Sequence, residues 1–213
     1  MTWTRRPDLH ELMDDPSCSP GELRRALRFL AWLHRVSLAR RILTRSVRPG
    51  RILDVAAGGA DVLTHMHRRG VANPAVALDR NPEILKVAGD LSPGVLRVQA
   101  DCFRLPFGEK TFDTAFCHLL FHHLEPGDCA TLLGEMERVA KRVVVFDLAR
   151  SRWLHGLVWL LTRFSGSRLA SHDGPVSVRR SYTVREAGAI LREARLEGQV
   201  TRHVFWRWSM RVG

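Results

Sequence analysis

The chain has 213 residues, 45% of them hydrophobic and 26% charged, an ordinary balance for one globular domain. It has no apolar run as long as the roughly 18 residues that a membrane span needs, and its N-terminus lacks the apolar core of a signal peptide. We therefore expect a cytoplasmic protein. The four cysteines lack the paired spacing of a zinc site, which predicts free thiols.

The net charge of +11 is the unusual feature of the composition. An excess of positive charge suits nucleic acid, an anionic membrane surface or an acidic substrate. Most of the basic residues are arginines spread over several segments, and no compact basic run carries interleaved aromatic residues. We therefore expect a solvated, arginine-rich surface and disfavour nucleic acid as a partner.

An arm and one long helix are predicted for residues 1–48. The arm shows little periodicity apart from a helical turn near residues 9–13. Residues 19–22 have the pattern of a capping box with proline at the first helical position, which starts the helix. Apolar residues then recur at helical spacing as far as Val47, so we predict an uninterrupted helix that packs on the domain, with contact to a ligand as the alternative.

A strand, a tight turn and a helix are predicted next. Ile52, Leu53 and Val55 are apolar and predict a short buried strand at residues 51–55. Small residues follow without interruption at positions 56–60, and residues 61–69 have the pattern of a helix that ends at Gly70. This order places several backbone N–H groups at the positive end of a helix, as in nucleotide-binding proteins.

The alternation of strands and helices continues to residue 148. Further strands are predicted at residues 75–78, 95–100, 111–118 and 143–146, and helices near residues 82–89 and 128–139. Such alternation predicts βαβ units, a parallel sheet and right-handed crossovers. The fold class is therefore α/β.

Polar side chains lie at or just past the ends of the predicted strands. They are Asp54, Asp79, Asp101, His118 and Asp147. One such aspartate would be explained as a turn residue. Five polar residues in equivalent places predict a ligand site, because ligands bind at the carboxyl edge of an open parallel sheet.

Residues 151–182 interrupt the alternation. A strongly apolar helix is predicted at residues 153–164, and the polar, glycine-rich sequence that follows to Pro175 is given no helix. A second capping box at Thr183 and Glu186 starts a helix that is predicted to run to about Leu196. Two closing strands are predicted at residues 199–205 and 209–212.

The order of these features resembles the class I S-adenosylmethionine-dependent methyltransferases, in particular their small-molecule branch. Besides the strand-end aspartates and the small-residue loop, it includes Leu105-Pro106-Phe107, Thr111-Phe112-Asp113 and Leu119-Leu120-Phe121-His122-His123-Leu124. The resemblance covers about residues 48–148. It implies a Rossmann-like, mostly parallel sheet with an antiparallel last strand. A methyltransferase domain at residues 49–213 would then carry an added N-terminal arm and helix at residues 1–48 and an apolar helical insertion at about residues 151–182.

The resemblance also implies that S-adenosyl-L-methionine is the cofactor. The loop from Asp54 to Gly58 would approach its methionine part, with His118 nearby. Asp79 would bind both ribose hydroxyls and Asp101 the adenine amino group. The full set of implied cofactor residues is Asp54, Ala56, Gly58, Asp79, Arg80, Asp101, Cys102 and His118.

The loop departs from the pattern of the family. Where a Gly-x-Gly-x-Gly sequence is usual, this chain has Ala56, Gly58 and Ala60. A backbone with positive φ at Ala56 would cost about 1 kcal/mol or more. Both a weakened cofactor site and a protein that binds the cofactor without turnover are therefore left open as alternatives.

Methyl transfer to a hydroxyl benefits from a base that removes the proton of the acceptor. The resemblance assigns this role to one histidine of the pair His122 and His123, with His122 preferred. Asp147 would orient its ring and stabilise the imidazolium. The alternative is a pair that only caps and packs the next helix. No metal is expected, because no carboxylate-rich or His-x-x-x-His pattern accompanies the pair.

The apolar insertion predicts a hydrophobic acceptor, such as an aromatic, polyketide-like or quinone-like natural product methylated on a hydroxyl. The residues expected to contact it are Trp153, Trp159, His172, Arg180 and Tyr182. The alternatives are C-methylation of an activated aromatic ring, cofactor binding without turnover, and, least favoured, methylation of nucleic acid. Arginines flank the apolar helix, so peripheral contact with an anionic membrane is also left open, as is the oligomeric state.

Overall fold

A seven-stranded sheet forms the centre of the computed structural model, which describes residues 3–15, 18–91 and 94–213. Its strands are β1 (Gly50–Val55), β2 (Ala72–Asp79), β3 (Leu96–Gln99), β4 (Thr114–His118), β5 (Val143–Leu148), β6 (Gly198–His203) and β7 (Arg207–Val212). They lie in the order β3-β2-β1-β4-β5-β7-β6. β7 is antiparallel to both of its neighbours, and the strands from β3 to β5 are parallel. The predicted Rossmann-like sheet with an antiparallel last strand is confirmed.

Helices cover both faces of the sheet. They are α1 (Pro20–Val36), α2 (Ala39–Ser46), α3 (Asp61–Arg68), α4 (Pro82–Leu91), α5 (Pro126–Val139), α6 (Arg152–Arg163), α7 (Arg168–Arg180) and α8 (Val184–Glu193). Two 3₁₀ turns lie at Leu12–Asp14 and Phe121–His123. Neighbouring residues of a strand face opposite sides. Ile52 therefore packs in the core under α2 and α3, whereas Leu53 packs in the core under α5 and α8.

The long N-terminal helix predicted from the apolar pattern is wrong, because the chain breaks it into α1 and α2. Ser37 ends α1: its backbone N–H and its hydroxyl both donate to the carbonyl of Leu33, at 2.9 and 2.6 Å. Leu38 then takes a left-handed backbone conformation with φ of 61°. The apolar pattern continues across this break, so periodicity alone could not reveal it.

A second correction concerns the polar stretch after the apolar helix, most of which is helical and forms α7. Ser167 caps α7, since its hydroxyl accepts from the backbone N–H of Ala170. A Cβ atom at Gly174 would lie 2.8 Å from Thr162 and 2.9 Å from Val158. The glycine that argued against a helix therefore allows α7 to pack closely on α6, and this packing outweighs its low helix propensity.

The remaining elements differ from the prediction mainly at their ends. The capping box of Thr183 and Glu186 is present, but α8 ends at Glu193, earlier than Leu196. The fourth strand is shorter than predicted and begins at Thr114. All four cysteines are free thiols, as predicted.

Candidate active site

The turn between β1 and α3 is built from residues with a left-handed backbone. The φ angles are 56° at Ala56, 52° at Gly58 and 50° at Ala60. The positive φ that would make Ala56 costly is therefore present. For an L-residue this conformation costs roughly 1–2 kcal/mol. The chain keeps the tight turn although two of the three positions carry a Cβ atom, so the turn itself stores strain.

Ala56→Gly is expected to raise the free energy of unfolding by about 0.5–1 kcal/mol, since relief of the left-handed strain exceeds the extra entropy of glycine in the unfolded chain. The matched control is Ala189→Gly on the exposed side of α8, which should lower it by about 1 kcal/mol. Urea unfolding of both variants measures the difference. Equal losses in the two variants would show that the turn carries no strain.

Asp79, the last residue of β2, is placed to bind a pair of hydroxyl groups. Its carboxylate is 7% exposed and accepts from the backbone N–H groups of Gly58, at 3.1 Å, and Asn81, at 3.0 Å. A carboxylate offers about four acceptor positions, so about two remain. Burial raises the pKa of Asp79. This set of acceptors fits the two vicinal hydroxyls of a ribose.

The other two strand-end acids differ in their surroundings. Asp54, near the end of β1, is buried, and its burial, followed by the charges of Asp61 and Asp79, raises its pKa well above the usual value. Asp101, after β3, is exposed and accepts from the backbone N–H of Phe103 at 2.9 Å. The structure thus brings three predicted acids to neighbouring strands at one edge.

Two other residues of the predicted cofactor set, Cys102 and Arg80, lie close by. Cys102 is half-buried, and burial raises the pKa of its thiol to about 11, so it stays protonated at neutral pH. Arg80 follows Asp79 and is exposed. Helix α1 packs over the same region, since Leu27 lies 3.9 Å from the position of a Cβ atom on Gly58 and 3.5 Å from one on Gly59.

His118 ends β4 and faces a second histidine that the sequence did not indicate. Its ring lies 4.3 Å from that of His34 and 5.6 Å from that of Phe146, centroid to centroid. Burial, and then the charges of His34 and Arg207, lower the pKa of His118 well below the usual value, so it is neutral. His34 Nδ1 in turn lies 2.8 Å from Asp61 at the start of α3. His118 is therefore tied to the loop region through α1.

His122 and Asp147 form a buried pair at the ends of the neighbouring strands β4 and β5. His122 Nδ1 lies 2.8 Å from Asp147 Oδ1, and the backbone N–H of His122 donates to Oδ2 at 3.2 Å. Burial acts to raise the pKa of Asp147, but His122 and the N–H donors outweigh it and hold the pKa below its usual value. Because a carboxylate can only accept, Nδ1 carries a hydrogen, and in the neutral ring Nε2 then has the free lone pair.

The position of His122 is set by its neighbours in sequence and in space. Phe121 is fully buried and contacts Trp208 edge to face, which anchors the 3₁₀ turn in the core. Arg180 donates to the backbone carbonyls of His122, at 3.1 Å, and His123, at 3.0 Å. The backbone on both sides of the His122 side chain is therefore fixed.

Glu11 closes the open side of the histidine pair. Its carboxylate oxygens lie 3.6 Å from His122 Nε2 and 3.7 Å from His123 Nε2. Glu11 is 8% exposed, and burial raises its pKa to about 7. His123 Nδ1 also lies 3.2 Å from Asp14. Sequence reasoning missed Glu11, because it lies more than a hundred residues away in a segment without periodicity.

The segment that carries Glu11 is fixed by Asp173 of α7. This buried carboxylate accepts from the backbone N–H groups of Leu12, at 2.7 Å, and Met13, at 2.9 Å. Arg180 adds a bond of 2.6 Å to the carbonyl of Leu9. The first described residues thus form a strap, residues 3–15, across the histidine pair.

Glu11, His122 and His123 form a group whose potential ligand atoms lie within 4.8 Å of one another, close enough to hold a metal ion. Structural zinc sites use four protein ligands, and catalytic sites keep an open position for water or substrate. This group offers three ligands, and His122 and Glu11 are 2% and 8% exposed. The group therefore lacks the fourth protein ligand of a structural site and has the ligand number of a catalytic one.

The five residues predicted to contact an acceptor are not gathered in one place. Tyr182 is buried and donates its hydroxyl hydrogen to the carbonyl of Leu124 at 2.7 Å. The guanidinium of Arg180 donates to backbone carbonyls. Both hold the chain around the histidine pair, and their predicted contact with an acceptor stays a prediction. His172 lies beside Asp173. Trp153 and Trp159 are 80% and 50% exposed on the outer side of α6.

Comparison with known sequences identifies related proteins. Residues 52–142 match the family model described as a methyltransferase domain. The chain is 32% identical over 129 residues to the ubiquinone/menaquinone biosynthesis C-methyltransferase UbiE of Idiomarina loihiensis. This match covers 55% of the chain and 51% of the relative, so the chain spans about half the length of that protein.

Solved structures share the fold. An S-adenosylmethionine-dependent methyltransferase from Aquifex aeolicus superposes with a TM-score of 0.66 at 19% identity, covering 92% of this chain and 98% of the other. Human N-acetylserotonin methyltransferase, solved in complex with S-adenosylmethionine, gives a TM-score of 0.64 at 16% identity, covering 91% of this chain and 56% of the other. At these identities the likeness establishes the fold.

Proposed function

We propose that this chain is a class I S-adenosylmethionine-dependent methyltransferase that methylates a hydroxyl group of a hydrophobic aromatic, polyketide-like or quinone-like small molecule. The observation that supports this proposal is the His122–Asp147 pair. It lies at the carboxyl edge of the sheet that also carries Asp54 and Asp79, with a hydrogen on Nδ1 and a free lone pair on Nε2.

S-adenosylmethionine supplies an activated methyl group, so the protein has mainly to position the acceptor and manage its proton. Held by Asp79 and the loop from Asp54 to Gly58, the cofactor would supply its methyl group to the acceptor oxygen, and His122 Nε2 would take the proton of the hydroxyl. Asp147 stabilises the resulting imidazolium. The hydroxyl would replace Glu11 beside Nε2, so the strap has to shift when the acceptor enters.

Asp79→Ala is expected to weaken the binding of S-adenosylhomocysteine at least tenfold, because two hydroxyl groups lose a buried, charged acceptor. Isothermal titration calorimetry measures the affinity. The matched control is Asp128→Ala, an exposed carboxylate in the first turn of α5. Failure of the unaltered protein to bind would overturn the cofactor site, and unchanged affinity in Asp79→Ala would overturn the role of Asp79.

C-methylation is the second candidate, favoured by the name of the curated relative. A phenol that has lost its proton to His122 is nucleophilic at oxygen and also at the adjacent ring carbons. The same residues therefore serve both reactions, and the pose of the ring decides between them. Without the comparison, the geometry of the site supports a hydroxylated aromatic acceptor for either reaction.

The two reactions are told apart by the position of the transferred carbon. The protein is incubated with ¹³C-methyl-labelled S-adenosylmethionine and a prenylated hydroquinone, and the product is examined by carbon NMR. Carbon bound to oxygen supports the proposed O-methylation, and carbon bound to the ring supports the second candidate. Absence of any transfer to a panel of hydrophobic phenols and hydroquinones would overturn the proposed acceptor class.

A further inference from the structure

The large apolar side chains that are exposed among the described residues are concentrated in three places. They are Trp32, Val36 and Leu38 at the end of α1, Trp153, Leu157, Trp159, Leu160 and Phe164 on or just after α6, and Val204 and Phe205 between β6 and β7. Leu96 is the exception elsewhere in the described chain. A globular protein seldom exposes so many large apolar side chains to water, so these residues indicate a surface that binds a partner.

Helix α6 shows the pattern most clearly. Trp153, Leu157, Leu160 and Phe164 recur at intervals of four, three and four residues, so they form one stripe. This stripe points to solvent, with Trp153 80% and Phe164 82% exposed. The helix uses other residues, such as Leu154, to pack on the protein. The outer stripe is therefore not required for folding.

The turn between β6 and β7 connects the other two places. The carbonyl of Trp206 accepts from the backbone N–H of Ala149 at 2.7 Å, just before α6. The next residue, Arg207, donates to the hydroxyl of Ser37 at 3.2 Å, where α1 ends. The three groups of exposed apolar residues therefore surround one end of the sheet, and we name them together the apolar rim.

Charge distinguishes the apolar rim from the rest of the chain. The apolar rim is carried by three sequence segments, residues 23–53, 148–172 and 198–213. Together these segments contain sixteen arginines and no aspartate or glutamate. All 22 acidic residues of the chain lie elsewhere. Arginines exposed in these segments include Arg35, Arg152, Arg163, Arg168 and Arg202. The partner must therefore present negative charge together with an apolar phase.

We propose that the apolar rim is a docking surface for the interface of an anionic lipid bilayer. Tryptophan, phenylalanine and leucine enter the boundary between headgroups and acyl chains, while arginines bind the lipid phosphates. A second copy of the chain would bring two arginine-rich surfaces together. Nucleic acid would satisfy the arginines but leave the leucines of α6 in water. No helix among the described residues could cross a membrane, so the contact is peripheral.

This surface is independent of the assignment of His122 and Asp147, and it is tested without turnover. The full chain is mixed with sucrose-loaded vesicles of phosphatidylcholine and phosphatidylglycerol at three to one, and with vesicles of phosphatidylcholine alone, and sedimented at about 0.1 M salt. We expect binding to the mixed vesicles that is at least tenfold stronger than to the neutral ones, and that weakens as salt is raised.

The double variant Trp153→Ser/Phe164→Ser should bind the mixed vesicles at least tenfold more weakly. Its matched control is Leu96→Ser, which removes a 59% exposed leucine outside the apolar rim and should bind like the unaltered protein. Arg152→Gln/Arg163→Gln should weaken binding similarly, against Arg192→Gln on α8 as control. Unchanged circular dichroism and unchanged affinity for S-adenosylhomocysteine show that each variant folds.

Four results would overturn the proposal. They are no binding of the unaltered protein to mixed vesicles, equal binding to neutral vesicles, unchanged binding by both double variants, and a similar loss of binding in Leu96→Ser. Light scattering and binding to a random single-stranded RNA are measured in parallel. A dimer that Trp153→Ser/Phe164→Ser abolishes, or RNA binding stronger than vesicle binding, would assign the surface to that partner instead.

Discussion

His122→Ala is expected to lower kcat for a hydroxyl acceptor by about 10² to 10⁴-fold, the usual contribution of a positioned general base. The affinity for S-adenosylhomocysteine should stay within about twofold of the unaltered protein, because Asp79, Gly58 and the loop between β1 and α3 are untouched. Single-turnover kinetics measure the chemical step, and calorimetry measures the affinity.

The matched control is His123→Ala. His123 has the same chemistry and is adjacent in sequence, but its Nδ1 faces Asp14 near the surface, whereas that of His122 faces the buried Asp147. We expect kcat to fall less than tenfold in this control. Asp147→Asn should behave like His122→Ala, since an amide stabilises an imidazolium less than a carboxylate does.

Three outcomes would be informative. Rates near that of the unaltered protein in His122→Ala would contradict the base assignment and leave positioning alone as the source of catalysis. A greater loss in His123→Ala than in His122→Ala would move the role to the neighbouring ring. Loss of cofactor affinity along with turnover would indicate that the buried pair supports the fold of the edge rather than the reaction.

The outline of the fold and the cofactor edge could be predicted from sequence because the signals are local. A buried parallel strand is a run of apolar residues, and the acid at or next to its end follows that run directly, as Asp54 follows Leu53 and Asp79 follows Leu78. The strand order then brings Asp54, Asp79 and Asp101 together. Even the strain at Ala56 followed from the position of one residue in the turn.

What could not be predicted depends on contacts between distant segments. Glu11 meets His122 across 111 positions, and nothing in its own surroundings marks it as a partner of the pair. Arg180 and Tyr182 were expected to reach a ligand because they are polar and lie in the insertion. In the folded chain their polar atoms satisfy backbone carbonyls. Exposure and hydrogen-bond partners, which decide such roles, are properties of the packed molecule.

Asp173→Asn is expected to lower the free energy of unfolding by about 2–4 kcal/mol and to release the strap, residues 3–15. The buried carboxylate of Asp173 accepts from two backbone N–H groups, those of Leu12 and Met13. An asparagine has one acceptor oxygen, and its amide group turns a donor toward the second N–H. A buried donor left without a partner costs about 1–3 kcal/mol, and the loss of a charged acceptor adds to this.

Two measurements follow the two parts of this prediction. Urea unfolding gives the loss of stability. Limited trypsin digestion under native conditions reports release of the strap, because the Arg5–Arg6 bond lies within it, whereas trypsin does not cleave the Arg6–Pro7 bond. Arg5 now bonds to Glu125 and to the carbonyl of Leu124, which protects it. Asp128→Asn, an exposed acid in the first turn of α5, is the control and should change neither quantity.

The link between Asp173 and the histidine pair makes this variant a test of how the acceptor enters. If Glu11 has to move aside before a hydroxyl reaches His122 Nε2, a loosened strap removes part of the cost of opening, and KM for the acceptor should fall more than kcat does. If the strap instead orders the site for reaction, kcat should fall with little change in KM. Faster cleavage after Arg5 with no change in either constant would show that acceptor entry does not pass Glu11.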